Sequence, residues 1–174
     1  MFSTTMKFRS RALNQLSPFD FETLVLQKEV FEQFWNGEGK RLPNRYKMIK
    51  QKGEKLIKDR ATELTWQQSG SPNEMIYEEA SGYITELNKQ KFAGCKDWRL
   101  PTLDEAMSLM KPGKNPRNLH IESGFDSKQE WIWTADEADS EVVWWAVTFR
   151  IGYCYVPVDS AYYVRAVRGE IWVP

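Results

Sequence analysis

Between Lys111 and Lys128 the chain carries Pro112, Gly113 and Pro116 and shows no apolar period, and the pattern on either side of this break differs in kind. Upstream, Thr102-Leu103-Asp104-Glu105 forms a capping box directly after Pro101, and Leu103, Ala106, Met107 and Met110 supply a face to bury. Another helix start is read at Ser71-Pro72-Asn73-Glu74, with Ser71 as cap and Pro72 at the first helical position. Tyr77, Ala80, Ile84 and Leu87 then share one face, ending near residues 88–91 with Gly94 beyond. Downstream, residues 131–134, 142–150, 153–158 and 162–167 read as short strands joined by turns. Two helices followed by a run of strands predict an α+β fold, not a parallel α/β sheet.

Three more strand candidates, residues 46–49, 56–58 and 64–67, are separated by turns at Lys52-Gly53-Glu54 and Asp59-Arg60-Ala61-Thr62, a small antiparallel entry to the domain. Ahead of them, Phe19, Phe21, Leu24, Val25, Val30, Phe31, Phe34 and Trp35 partly match a helical face after Ser17-Pro18. They predict an amphipathic helix over residues 17–36 that docks on the main body. Residues 36–44 have linker composition, so the expected division is a 1–45 extension and a 46–174 domain.

Lysine plus arginine equals aspartate plus glutamate at 24 each, so overall charge favours neither nucleic acid nor an anionic membrane surface. No apolar run is long enough to cross a bilayer. Met1 to Arg11 has no apolar core of a signal peptide, and the expectation is a cytoplasmic protein. Cys95 and Cys154 are too few for a disulfide scaffold and are read as free thiols.

Leu64-Thr65-Trp66-Gln67-Gln68, Asp97-Trp98-Arg99-Leu100-Pro101-Thr102, Trp131-Ile132-Trp133-Thr134, Trp145-Ala146-Val147-Thr148-Phe149 and Tyr163-Val164-Arg165-Ala166-Val167-Arg168 follow one another in a telling order. Together they resemble the C-terminal domain family of the Lcl collagen-like adhesin, over roughly residues 46–170. The resemblance implies a C-type-lectin-like fold with two short helices and a twisted, mainly antiparallel sheet whose first and last strands pair. An N-terminal helical extension lies outside the match. Within it, Trp66, Trp98, Arg99, Pro101, Arg165 and Arg168 are read as structural: tryptophan offers buried area, arginine can hold carbonyls or a carboxylate, and Pro101 with Thr102 makes a strand-to-helix corner. Two departures from the family stand out, Glu63 at a turn position usually held by glycine and Cys95 where an aromatic residue is common.

Catalytic readings find little support. The single histidine, His120, sits in the breaker-rich loop without a nucleophile pattern and is read as a solvated residue. The lectin-like fold also hosts the formylglycine-generating enzyme, but Cys95 and Cys154 belong to no recognisable copper-site motif. Asp136, Glu137, Asp139 and Glu141 carry oxygens of the type that binds calcium, yet read first as a solvated turn. Neither calcium-sugar motif of animal lectins occurs, nor a Gly-rich phosphate loop. The expectation is no catalytic residue, no metal and no cofactor.

From Trp144 to Tyr163, Arg150, Tyr153, Tyr155, Asp159, Ser160 and Tyr162 are interspersed with Gly152, Val156, Pro157 and Val158. Tyrosine, serine, aspartate and arginine compose adaptable binding surfaces, since tyrosine gives large contact area at little entropic cost. These six residues are the predicted ligand site, for a protein or a glycan; the competing reading is a set of tyrosines that merely cover the core. The pattern Trp145-x-Val147-x-Phe149-x-x-Gly152, followed by an interrupted run of Tyr, Asp and Ser up to Tyr163-Val164-Arg165, also resembles the variable targets of diversity-generating retroelements. A different class of function is an assembly module, in which the apolar helix of residues 1–45 buries itself on another subunit to form a homo-oligomer.

Overall fold

Ser17 opens the first helix. Its hydroxyl accepts from the Asp20 backbone N–H, the Asp20 carboxylate accepts from the Ser17 N–H, and Pro18 takes the first helical position, where no N–H is needed. In the computed structural model, which describes residues 8–39, 45–139, 143–157 and 159–169, this helix, α1, spans Pro18–Lys28. It stops short of the expected residue 36 because Glu29 turns left-handed at φ 53°.

β1 (Tyr46–Gln51) and β2 (Glu54–Asp59) form a hairpin whose turn places Lys52 at φ 51° and Gly53 at φ 93°, the left-handed pair that a two-residue turn requires. Glu63, at the position read as normally glycine, has φ 63°. β3 (Thr65–Gln67) follows, then α2 (Tyr77–Lys89), a 3-10 turn at Phe92–Gly94 and α3 (Leu103–Met107). After the long loop come β4 (Trp131–Glu137), β5 (Trp144–Thr148), β6 (Tyr153–Tyr155) and β7 (Val167–Arg168). The strands make two antiparallel sheets, ordered β1-β2-β3-β7 and β4-β5-β6, so the described residues form an α+β structure with three α-helices.

The helix expected to start at Ser71 starts instead at Tyr77. The Ser71 hydroxyl donates to the Asn73 carbonyl at 2.8 Å and accepts from the Val164 N–H at 2.9 Å, and Met75 pairs with Tyr162. Ser71 and Met75 thus pair with the C-terminal segment on either side of a bend at residues 72–73, a long-range use of a capping residue that local rules do not see. Thr102 behaves as read, its hydroxyl accepting from the Glu105 N–H while Glu105 accepts from the Thr102 N–H.

Two further expectations are overturned by burial. His120 is enclosed, stacked on Phe31 at 5.2 Å, with Nδ1 2.9 Å from the Lys111 carbonyl; burial lowers its pKa. Asp136 is not on a solvated turn but sealed. It accepts from the Arg9 guanidinium at 2.5 and 2.6 Å and from the backbone N–H groups of Leu13 and Leu103, both at 2.6 Å. Asp139 is exposed, and Glu141 lies outside the described residues.

The main core joins the two ends of the sequence. Phe8, Leu16, Phe21, Val25, Val30 and Phe31 share one apolar cluster with Trp66, Leu103, Met107, Ile132, Val147 and Phe149. Each such large side chain contributes roughly 1.5–3 kcal/mol by leaving water, so residues 8–31 are bound to the rest by burial and by the Arg9–Asp136 pair. Both cysteines are free thiols; Cys154 is buried, which pushes its thiol up.

Candidate functional site

In the second sheet the alternation of strand side chains separates a core face from an outer face. Ile132, Val147 and Cys154 lie in register across β4, β5 and β6 and all enter the main core. The rows on the other face are Trp131, Thr148 and Tyr153, and Trp133, Ala146 and Tyr155. Large rings stand on the two flanking strands and small residues on the central one. Across two strand spacings, close to 10 Å, the rings therefore lean together over Thr148 and Ala146, which are buried beneath them.

The resulting contacts are specific. Trp131 meets Tyr155 edge-on at 5.4 Å and Tyr153 at 6.4 Å, and the two tyrosines lie 5.4 Å apart. Tyr162 arrives from the C-terminal segment, held in place because the Tyr163 N–H donates to the Trp131 carbonyl and the Trp133 N–H donates to the Tyr163 carbonyl. It stacks on Trp131 at 5.7 Å and meets Trp133 at 4.9 Å. Phe34 closes the far end, its ring 5.2 Å from Tyr153 and 70% exposed. Glu32 fixes that approach, its buried carboxylate accepting from the N–H groups of Cys154, Phe34 and Trp35. Burial raises the Tyr155 pKa, with a hydrogen bond to Tyr162 adding to it, and burial also raises that of Tyr153. Both hydroxyls remain protonated donors at neutral pH.

Beside this cluster lies a groove of about 240 Å³ lined by Ile76, Tyr77, Glu78, Trp133, Val143, Trp144, Pro157, Asp159 and Ser160. Tyr77 stacks on Trp144 with centroids 3.7 Å apart and planes 9° apart, and meets Trp133 edge-on at 5.4 Å. The Trp133 indole N–H is given to the Met75 carbonyl.

The six residues predicted for the ligand site divide accordingly. Tyr153, Tyr155 and Tyr162 come together in one ring cluster, Asp159 and Ser160 line the adjoining groove, and Arg150 stands at the turn after β5, 3.2 Å from Glu130. The residues read as structural sit elsewhere. Trp66 and Trp98 are fully buried, and Trp98 exchanges backbone hydrogen bonds with the Asn88 side chain while its indole donates to the Phe92 carbonyl. Arg99 grips Glu105 with two hydrogen bonds at 2.6 and 2.7 Å, and the Pro101 carbonyl accepts from the Ala135 N–H. Arg165 is enclosed, donating to the carbonyls of Gln67, Gln68 and Asp126 and lying 5.0 Å from the Phe125 ring; burial lowers its pKa to about 9. Arg168 donates to Asp97 at 2.8 Å.

Sequence reasoning missed Trp131, Tyr77, Trp144 and Phe34 as parts of the face. The spacing of Trp131 and Trp133 within one strand was the available signal, whereas Tyr77 and Phe34 reach the sheet from distant segments. Among the described residues, no group of three or more His, Cys, Asp or Glu side chains is placed to hold a metal ion, and no helix is long and apolar enough to cross a membrane.

A family model described as the Lcl C-terminal domain matches residues 55–168, from the start of β2 to the end of β7. No curated protein and no solved structure gives a match.

Proposed function

The chain belongs to the Lcl C-terminal domain family, and from that premise we propose that it is a non-enzymatic binding domain that recognises a protein or glycan through the outer face of the β4-β5-β6 sheet. The observation that carries this reading is the ring cluster over Ala146 and Thr148. Trp131, Tyr153, Tyr155 and Tyr162 are half-buried, braced against one another and contributed by separate segments, which is the low-entropy, amphipathic surface that recognition favours. The last strand, β7, pairs with β3 and not with β1 as the resemblance implied, because β1 and β2 form a hairpin on the outer edge of that sheet. The β3–β7 pairing still sets Thr65 and Trp66 beside Arg168 and Val167, which supports a C-type-lectin-like arrangement.

The alternation also supports the reading of the segment as a variable target of a retroelement. Trp145, Val147, Phe149 and Gly152 are buried, while Arg150, Tyr153 and Tyr155 point outward. At Gly152, φ is 85° and an added Cβ would stand 2.9 Å from the Phe31 ring, so this framework position admits only glycine without rearrangement. A near-identical template repeat beside a reverse transcriptase at the locus is the expected finding; its absence removes that part of the reading. Burial of Phe21 and Val25 of α1 in the chain's own core favours docking on its own domain over assembly with another subunit.

The test is to replace Arg150, Tyr153, Tyr155 and Tyr162 together by alanine and to compare the variant with the parent on a glycan array and in capture of proteins. Loss of binding with retained cooperative unfolding is expected. Undiminished binding places the site elsewhere.

A further inference from the structure

The groove beside the ring cluster differs from the cluster in its charge. Its aromatic walls are Tyr77, Trp133 and Trp144, and its charged lining is Glu78 and Asp159; among the described residues, no lysine, arginine or histidine lines it. Glu78 belongs to the first turn of α2, and Asp159 sits at a left-handed backbone position, φ 49°; both are exposed. The negative field extends to the wall, since Asp136 and Glu137 add to burial in raising the pKa of the Tyr77 hydroxyl. Asp136 is paired with Arg9, and neither it nor Glu137 lines the groove; among the described lining residues Glu78 and Asp159 are the carboxylates.

Aromatic faces joined with carboxylates are the chemistry that recognises an organic cation. The ring quadrupole attracts the cation to its face, the carboxylates supply the opposite charge, and both gain when water is excluded. The Trp133 indole N–H is already taken by the Met75 carbonyl, and the two carboxylates face no cationic side chain among the described lining residues, so a positively charged ligand complements the groove better than a neutral saccharide. At about 240 Å³ the groove lies below the roughly 300 Å³ at which drug-sized sites begin, and suits one side chain. We infer that the groove formed by Tyr77, Trp133, Trp144, Glu78 and Asp159 receives a lysine or arginine side chain of a protein partner. This rests on the outer face being a binding surface and selects protein over glycan as the ligand.

The experiment uses tetramethylammonium and Nα-acetyl-arginine amide as probes, with 3,3-dimethylbutanol and methyl glucoside as neutral counterparts, at constant ionic strength. Indole N–H signals are followed by NMR. Saturable shifts of the Trp144 and Trp133 signals with both cations are expected, with the neutral compounds binding about tenfold more weakly or less. The double variant Glu78→Gln, Asp159→Asn removes charge at two exposed positions, and should weaken the cations about tenfold while leaving the neutral compounds unchanged. Equal binding of the neutral compounds, or no saturable shift with either cation, overturns the inference. That outcome leaves the face reading intact. The face reading falls by its own result, undiminished ligand binding after the Arg150, Tyr153, Tyr155 and Tyr162 substitutions, none of which alters a groove residue.

Discussion

The β1-β2-β3-β7 sheet and the β4-β5-β6 sheet carry similar residue types under opposite conditions. Around the first, Trp66, Trp98 and Arg165 are sealed, the Trp98 indole and the two terminal guanidinium nitrogens of Arg165 donating to oxygens of the same chain and Trp66 packed in the main core. On the outer face of the second, Trp131, Tyr153, Tyr155 and Tyr162 remain partly exposed, and Arg150, with 64% of its side chain exposed, makes a surface pair with Glu130. A sealed aromatic residue has spent its area on folding. A half-exposed one, held rigid by its neighbours, still has area to give to a ligand. On the proposed reading, the first region is scaffold and the second is the recognition surface.

The contrast can be broken by substitution, beginning with its most buried member. Arg165→Met removes the guanidinium from the carbonyls of Gln67, Gln68 and Asp126, of which Gln68 keeps the Asp126 N–H, and should cost about 3–5 kcal/mol in urea unfolding. A loss under about 1 kcal/mol would deny Arg165 its scaffold role. Tyr155→Ala removes contacts with Trp131, Tyr153 and Tyr162 and should cost only about 1–2 kcal/mol, because the ring is half exposed. A cost equal to that of Arg165→Met would make the tyrosines part of the core and erase the contrast.

Asp97→Asn should have the smallest effect, below about 1 kcal/mol, since its pair with Arg168 is largely solvated. The hydrogen bond from Arg168 lowers the Asp97 pKa below its ordinary value of 3.8, so the pair's contribution is present above that value and is lost as pH falls through the lowered one. Acid unfolding of parent and variant should therefore converge once the pH falls below the lowered Asp97 value. Curves that stay apart in strong acid would point to a packing role for Asp97.

Local chemistry made part of this legible in advance. The Lys52-Gly53 turn, the Ser17 and Thr102 caps and the outward tyrosines of β6 each depend on neighbours within a few residues, so spacing alone finds them. Ser71, His120 and Asp136 were misread because their partners are distant: Val164 for the first, Phe31 for the second, Arg9 for the third. A polar residue in a stretch rich in breakers or acids looks solvated until the tertiary partner is known. The groove was only half visible for the same reason, since Asp159 and Ser160 lie in the tyrosine-rich segment while Tyr77 belongs to α2.

The central claim, that the chain binds through the outer face while its buried arginine and tryptophans hold the scaffold, is tested most directly by ligand binding and urea unfolding of one protein, the alanine variant of Arg150, Tyr153, Tyr155 and Tyr162. The account predicts a cooperative transition displaced by no more than a few kcal/mol, together with loss of the glycan-array or protein-capture signals of the parent. Full retention of those signals, or a variant that no longer unfolds cooperatively, would contradict it.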